Sequence, residues 1–166
     1  MRARLTRSAL RLFGLLPRSL RRLVIRAGSP SWTAGTLAIV ERADGRWLLV
    51  RPAYRRGWAL PGGLLRKGER PEPAIHRELA EELGLAVVVD PEPWALFDAR
   101  LRRLDIVWRA RPAPGFDPDS VTVRSPELLA VGWFDPDTPP RLEDEAHDVL
   151  VLRRRVLEGG PSVLVV

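Results

Sequence analysis

The sequence contains no cysteine and only two histidines. The absence of cysteine excludes disulfide bonds, thiol nucleophiles and thiolate metal sites. The histidines, His76 and His147, lie in different segments and lack the spacing of a zinc site. This composition is compatible with the cytoplasm, which is the location that we expect.

Acidic residues are absent from the first 30 positions, which contain eight arginines. The formal net charge is +6, yet the other positions carry 19 basic and 21 acidic side chains and are almost neutral. The basicity is therefore local, and global charge is a poor guide to partners. A chain of 166 residues with 45% apolar content fits one domain. We expect a basic helical extension over 1–30 and the domain over 31–166.

No long apolar run occurs within 2–27, where the periodicity predicts two short amphipathic helices broken at Pro17. Arginines interrupt every apolar run, which excludes a transmembrane span and makes a secretory signal a poor interpretation. Three interpretations remain open. The apolar stripe packs on the domain or on a second subunit of a homodimer, the helices lie on an anionic membrane surface, or the arm contacts nucleic acid or polyphosphate.

From residue 33 onward, apolar and β-branched segments alternate with turn signals. The segments 33–41 and 47–50, joined by the turn at 43–45, predict a β-hairpin. Further strands are predicted over 86–89, 94–99 and 104–110, with 94–99 pairing with 104–110, a helix over 142–158, and a short strand or tail over 163–166. This order predicts an α/β fold with a mixed sheet that has helices on both faces.

The segment 71–83 has the features of a helix. Pro71 and Pro73 fit only a first turn, apolar residues recur at helical spacing, and Gly84 follows as the residue after the last turn. The glycine-rich loop before it can bend sharply or approach a ligand closely.

Three carboxylates, Glu78, Glu81 and Glu82, would project from neighbouring positions on one side of this helix. Like charges at this spacing repel each other unless protons or a cation neutralise them. Carboxylate oxygens suit Mg²⁺ or Mn²⁺, so we expect one of these cations here. For these three residues alone, a solvated acidic helix face is the alternative.

The surrounding residues follow a long pattern with fixed spacing. It consists of Gly63, five residues, Glu69, seven residues, Arg77-Glu78-Leu79, one residue, Glu81-Glu82, one residue and Gly84-Leu85. This pattern resembles the complete signature of the Nudix hydrolases, and the preceding Trp-Ala-Leu-Pro-Gly-Gly resembles the entry common before it. The resemblance implies an α/β/α sandwich and hydrolysis of a diphosphate linkage. The substrates implied are ADP-ribose, a nucleotide sugar, or an ordinary or oxidised nucleoside triphosphate such as 8-oxo-dGTP.

The same resemblance implies roles for individual residues. Glu78 and Glu82 match the principal metal ligands, and Glu81 matches a position that serves as a ligand or as a water activator. Arg77 and Glu69 match a pair that braces the loop against the helix, where a charge-assisted hydrogen bond would orient the carboxylates.

Further candidates lie mostly outside the signature. Glu127 is our candidate general base, and a solvent-facing glutamate at a strand end is the alternative. Gly63 is expected to allow close backbone approach. The candidate substrate contacts are aromatic base-stackers and arginine phosphate grips, namely Trp58, Phe97, Arg55, Arg56 and Arg100.

Two other functions remain open. One is a regulatory protein that senses a nucleotide through this fold and contacts its partner through the basic arm. The other is a hydrolase of polyphosphate or capped RNA, in which the arm grips a longer anion and activity falls with salt.

Overall fold

The computed structural model describes residues 13–29 and 31–166, and the chain divides into two units between Trp32 and Thr33. In the first unit, helix α1 (Arg18–Gly28) follows directly after Pro17, where the second amphipathic helix is predicted. The first predicted helix falls largely on residues 1–12, which lie outside the described residues. Within the two described ranges, no helix has the length and apolar character to cross a bilayer.

The second unit contains eight strands and two α-helices. The strands are β1 (Thr33–Val40), β2 (Trp47–Pro52), β3 (Gly62–Leu64), β4 (Val87–Val89), β5 (Trp94–Asp98), β6 (Arg103–Pro112), β7 (Leu128–Phe134) and β8 (Val163–Val165). The helices are α2 (Pro71–Leu83) and α3 (Asp144–Leu157), with a short 3₁₀ helix at Pro118–Ser120.

Six strands form a mixed sheet in the order β3-β1-β6-β5-β8, with β4 paired to the carboxyl end of β6. Strands β1 and β6 run parallel, and β3 and β5 are antiparallel to β1 and β6 respectively. A separate antiparallel pair joins β2 to β7. The α/β class and the mixed sheet are therefore confirmed, as is the pairing of β5 with β6.

The predicted hairpin between β1 and β2 is wrong. The turn forms, since the Gly45 amide donates to the Arg42 carbonyl at 2.9 Å. Glu41 and Trp47 then make an isolated bridge, after which β1 and β2 belong to different sheets. Turn residues specify only that the chain reverses direction. Which strand pairs with which depends on the arrangement that buries the apolar faces of both strands.

Strand β1 lies between two apolar cores, one for each of its faces. Val40 packs in one core with Leu79 of α2, and Ile39 packs in the other with Val149 of α3. Each of these side chains is at least 97% buried, which stabilises the fold by about 2 kcal/mol apiece. The two helices therefore pack on opposite faces of the strands, as predicted.

Candidate active site

Helix α2 holds the acidic residues beside the short strand β3. It occupies the predicted bounds and ends at Gly84, whose positive φ of 63° suits a residue without a Cβ. The residue before Leu64, Gly63, faces the Glu78 carboxylate so closely that an added Cβ would lie 2.5 Å from its Cδ. The glycine therefore provides the space in which Glu78 sits.

A bidentate ion pair ties the loop before α2 to the helix. Arg77 donates to Glu69 from Nε and from Nη2, each at 2.8 Å, and the Arg66 amide also donates to Glu69 at 2.8 Å. The hydrogen bonds from Arg77, followed by that of the amide, lower the pKa of Glu69 to about 2. Glu69 therefore remains ionised at neutral pH and holds the loop in place.

Arginines also cover part of the acidic cluster. Arg77 Nη1 lies 2.8 Å from Glu78 Oε1 and 3.3 Å from Glu81 Oε2, while Arg66 Nη2 lies 3.1 Å from both Glu81 oxygens. The hydrogen bond to Glu69 raises the pKa of Arg77, against the opposing effect of burial. The guanidinium is therefore a permanent positive charge beside Glu78 and Glu81.

Glu82 differs from its neighbours because its negative charge is not compensated. Burial raises its pKa to about 7, and the charges of Glu78, Glu127 and Glu81 add to the effect. A carboxylate in this setting attracts either a proton or a cation. Among the described residues, the lack of a positive charge beside Glu82 is the observation that best fits a cation at the cluster.

The donors fit a hard divalent cation in their chemistry, since five carboxylates line one cleft: Glu78, Glu81, Glu82, Glu127 and Glu145. In the described part of the chain, however, no three His, Asp or Glu side chains are arranged to hold one ion. The reason is visible in the contacts above, because Glu78 and Glu81 direct oxygens at Arg77. The chemistry therefore matches Mg²⁺ or Mn²⁺, while the side-chain positions are those of an arginine-paired cluster.

The acidic cleft, as we call the space lined by these five carboxylates, has a volume of about 480 Å³. Besides Arg66 and Arg77, the guanidiniums of Arg55 and Arg103 line it, and both contact Glu145 of α3. Arg55 Nη1 lies 2.9 Å from Glu145 Oε1, and Arg103 Nη1 lies 3.6 Å from Glu145 Oε2. The cleft thus combines carboxylates with fixed positive charge, an arrangement suited to a metal-bound polyphosphate.

Arg103 is a cleft residue that sequence reasoning treats only as a hairpin residue. Its Nε donates to Asp105 Oδ2 at 2.7 Å, and Asp105 is 98% buried against Gly35, where a side chain would clash with it. Burial opposes ionisation, but the hydrogen bond to Asp105 raises the pKa of Arg103. An Arg-x-Asp pair at the start of β6, followed by the apolar residues Ile106 to Trp108, is the signal that could have identified it.

Of the other predicted contacts, Gly63 and Arg55 line the acidic cleft, and so does Glu127, directly before β7. Arg56 is exposed and is not among the described residues that line it. Glu127 is also exposed, and its carbonyl accepts from the Ala53 amide at 2.8 Å. The structure therefore brings the helix carboxylates and Glu127 into one cleft, and their metal and base roles stay predictions.

The remaining candidates lie elsewhere. Trp58 packs edge-on against Phe134 with ring centroids 4.6 Å apart, as part of the apolar core. Phe97 is a half-buried residue of β5. Arg100 lines a neighbouring cleft together with Asp98 and Asp148. Arg55 and Arg103 also line that cleft. Their roles in substrate contact stay predictions.

Comparisons with known proteins agree with this geometry. The NUDIX domain model matches residues 32–156. A MutT-like protein of Streptomyces ambofaciens is 33% identical over 135 residues, which cover 81% of this chain and 83% of that protein. The nucleoside triphosphatase NudI of Salmonella arizonae is 44% identical over 61 residues, or 33% of this chain and 43% of NudI. The crystal structure of a MutT NUDIX hydrolase from Burkholderia pseudomallei is similar, with 28% identity, a TM-score of 0.58, and coverage of 74% of this chain and 98% of that one.

Proposed function

The chain belongs to the NUDIX family of hydrolases, and from that premise we propose that it is a Mg²⁺- or Mn²⁺-dependent pyrophosphohydrolase of nucleoside triphosphates. The observation that carries the proposal is that the uncompensated carboxylate of Glu82 shares one cleft with the guanidiniums of Arg55 and Arg103. The name of the nucleoside triphosphatase NudI favours a triphosphate over ADP-ribose or a nucleotide sugar.

Acidic and basic residues of the chain have different roles in the proposed reaction. When bound, a divalent cation supplies positive charge to the phosphates and lowers the pKa of water. Glu78, Glu81 and Glu82 are the residues that would hold it. Arg55 and Arg103, fixed by Glu145, bind phosphate oxygens in the same cleft. Glu127 accepts the proton of the attacking water.

In this proposal Arg77 and Glu69 do not contact the substrate and act through the carboxylates that they position. Their bidentate pair fixes the loop that carries β3 into α2, and Arg77 also contacts Glu78. We assign them a positioning role, in which they keep the carboxylates at the right separation. Free nucleoside triphosphates and Mg²⁺ occur together in the cytoplasm, where we place the activity.

Product release from a panel of nucleoside triphosphates, nucleotide sugars and ADP-ribose, with Mg²⁺ or Mn²⁺, tests this function. Glu82→Gln removes a charge from the cluster and is expected to lower kcat by about 10²-fold or more. Glu72→Gln is the matched control, because Glu72 is exposed on the first turn of the same helix. Equal turnover by the natural protein and Glu82→Gln, or no turnover of any compound, would refute the proposal. Preference for ADP-ribose would keep the chemistry and change the substrate.

The N-terminal unit supports an attachment role. In α1, Leu20, Leu23 and Ile25 are exposed, and arginines occupy neighbouring positions. An exposed apolar set next to positive charge suits an anionic lipid surface. We propose that α1 lies on such a surface, and co-sedimentation of the full chain with phosphatidylserine vesicles tests this. Retention by RNA but not by vesicles would identify a polyanion arm, and a concentration-dependent dimer with neither would identify a subunit interface.

A further inference from the structure

A second cleft lies at the opposite end of the mixed sheet from the acidic cleft. It has a volume of about 550 Å³ and is formed where β1 and β6 end. Along β6, Arg103 belongs to the acidic cleft and Arg109 to this one, a separation of about 20 Å at the rise of an extended strand. No role described above uses this cleft, so we consider its chemistry separately.

Positive charge predominates among its lining residues. We call it the arginine cleft, after the guanidiniums of Arg42, Arg109, Arg111 and Arg153. Two carboxylates, those of Glu41 and Asp90, also line it. Arg109 Nη2 lies 3.0 Å from Asp90 Oδ2, and Arg111 Nη1 lies 3.9 Å from Asp90 Oδ1. One aspartate therefore serves two arginines. Arg42 is itself paired, at 2.8 Å from Asp119 and 3.3 Å from Asp44, so the arginines available to a ligand are Arg109, Arg111 and Arg153.

Buried tryptophans hold two of these guanidiniums. Arg109 lies over the Trp94 ring at 5.5 Å from its centroid, and Arg153 lies over the Trp47 ring at 5.0 Å. Both indoles are at least 95% buried and therefore rigid. Stacking on a ring face fixes the plane of a guanidinium while its N–H groups remain at the edge, so little side-chain entropy is lost when an anion binds.

The stacking also limits the type of ligand. Because arginines cover these tryptophan faces, a planar base has no access to them, and recognition depends on charge. Three available guanidiniums, two of which share one aspartate, match a ligand with at least two negative charges, and guanidinium forks match phosphate oxygens. The volume of the cleft is in the range of small-molecule pockets. It is larger than the volume of a bare diphosphate. Apolar residues in its wall, Pro112, Ala113, Phe116 and Pro118, suit an organic group attached to the phosphates.

We propose that the arginine cleft is a second binding site, separate from the hydrolytic site, for an organic phosphate with at least two negative charges, such as a nucleoside diphosphate. Arg109 and Arg153 grip the phosphates, and the more exposed Arg111 contributes to their attraction. This site does not depend on the acidic cleft, because the two share none of their lining residues.

Calorimetric titration of the full chain with ADP tests the proposal. The titration is done in EDTA and at low ionic strength, so that the acidic cleft lacks its cation and surface charge is little screened. We expect one equivalent of ADP to bind, pyrophosphate to compete and adenosine to have no effect. Arg109→Gln and Arg153→Gln should each weaken binding by about tenfold, the loss of a charged hydrogen bond.

Two further variants separate the effect of the arginine cleft from that of arginines elsewhere. Arg154→Gln changes an exposed arginine of α3 that is not among the described lining residues, and it should leave binding unchanged. Arg111 is 69% exposed, so Arg111→Gln should fold normally and weaken ADP binding. The proposal is overturned if ADP does not bind, if adenosine binds as well as ADP, or if Arg55→Gln weakens binding while Arg109→Gln and Arg111→Gln do not.

Discussion

At the scale of single residues, Glu82 combines a functional need with a cost in stability. Its pKa is 4.5 as an unperturbed group and about 7 in the fold. An acid with a raised pKa binds its proton more tightly in the folded state. Its ionisation therefore destabilises the fold progressively as pH rises from the lower to the higher value, and the penalty is complete above it.

We predict that Glu82→Gln stabilises the metal-free protein in alkaline solution. The gain in the free energy of unfolding should be about 1 to 2 kcal/mol at about pH 8, after discounting for the partial exposure of the carboxylate. It should vanish at about pH 4, where the natural side chain is protonated in both states. Urea denaturation in EDTA measures it, with Glu72→Gln as the control. A variant less stable than the natural protein at the higher pH contradicts the electrostatic account.

The pKa of Glu69 is shifted in the opposite direction to that of Glu82, since it is lowered from 4.5 to about 2. Its pair with Arg77 stabilises the fold fully above the higher value, and this contribution is lost as pH falls towards the lower one. We predict that Glu69→Gln is less stable than the natural protein at neutral pH and that the two converge in acid. Acid titrations of the melting temperature test this, and a difference that persists at about pH 2 would argue against the ion pair.

At the scale of elements, the contact between β3 and α2 sets the position of Glu78. We predict that Gly63→Ala lowers kcat by at least about tenfold, because a Cβ would occupy the place of the Glu78 carboxylate. Glu78 can move away into the open cleft, so the loss of stability should be modest. Gly14→Ala is the matched control, since an added Cβ there meets no atom within 4 Å. Normal kcat in Gly63→Ala would show that the Glu78 position is adaptable.

At the scale of the whole molecule, our proposals assign catalysis and attachment to different units. The described residues that line the acidic cleft all lie in the unit Thr33–Val166. We predict that deletion of residues 1–30 leaves kcat within about twofold and abolishes vesicle binding. Turnover and co-sedimentation of the truncated chain test both parts. A large fall in kcat, reversed by neither metal nor lower salt, would show that the extension is needed for folding or for the site.

Much of the fold and of the candidate site follows from local sequence. The bounds of α2 were predictable because prolines and a terminal glycine restrict the backbone at its two ends, and the spacing of its glutamates places them on one side. The β1–β2 hairpin was not predictable, because the Arg42–Gly45 turn specifies a reversal whereas pairing depends on distant strands. Trp58 looks like a base-stacker in sequence but packs on Phe134, a residue far along the chain.

The sequence by itself determined the helix, the spacing of its carboxylates and the resemblance to the family, since each depends on residues a few positions apart. Only the tertiary structure decided which distant residues share a cleft with that helix. Arg103 and Glu145 come from β6 and α3, and their meeting with Glu82 depends on sheet order and on packing over both faces of β1. The arginine cleft has the same origin, because long-range packing alone brings Arg153 and Arg109 to one end of the sheet.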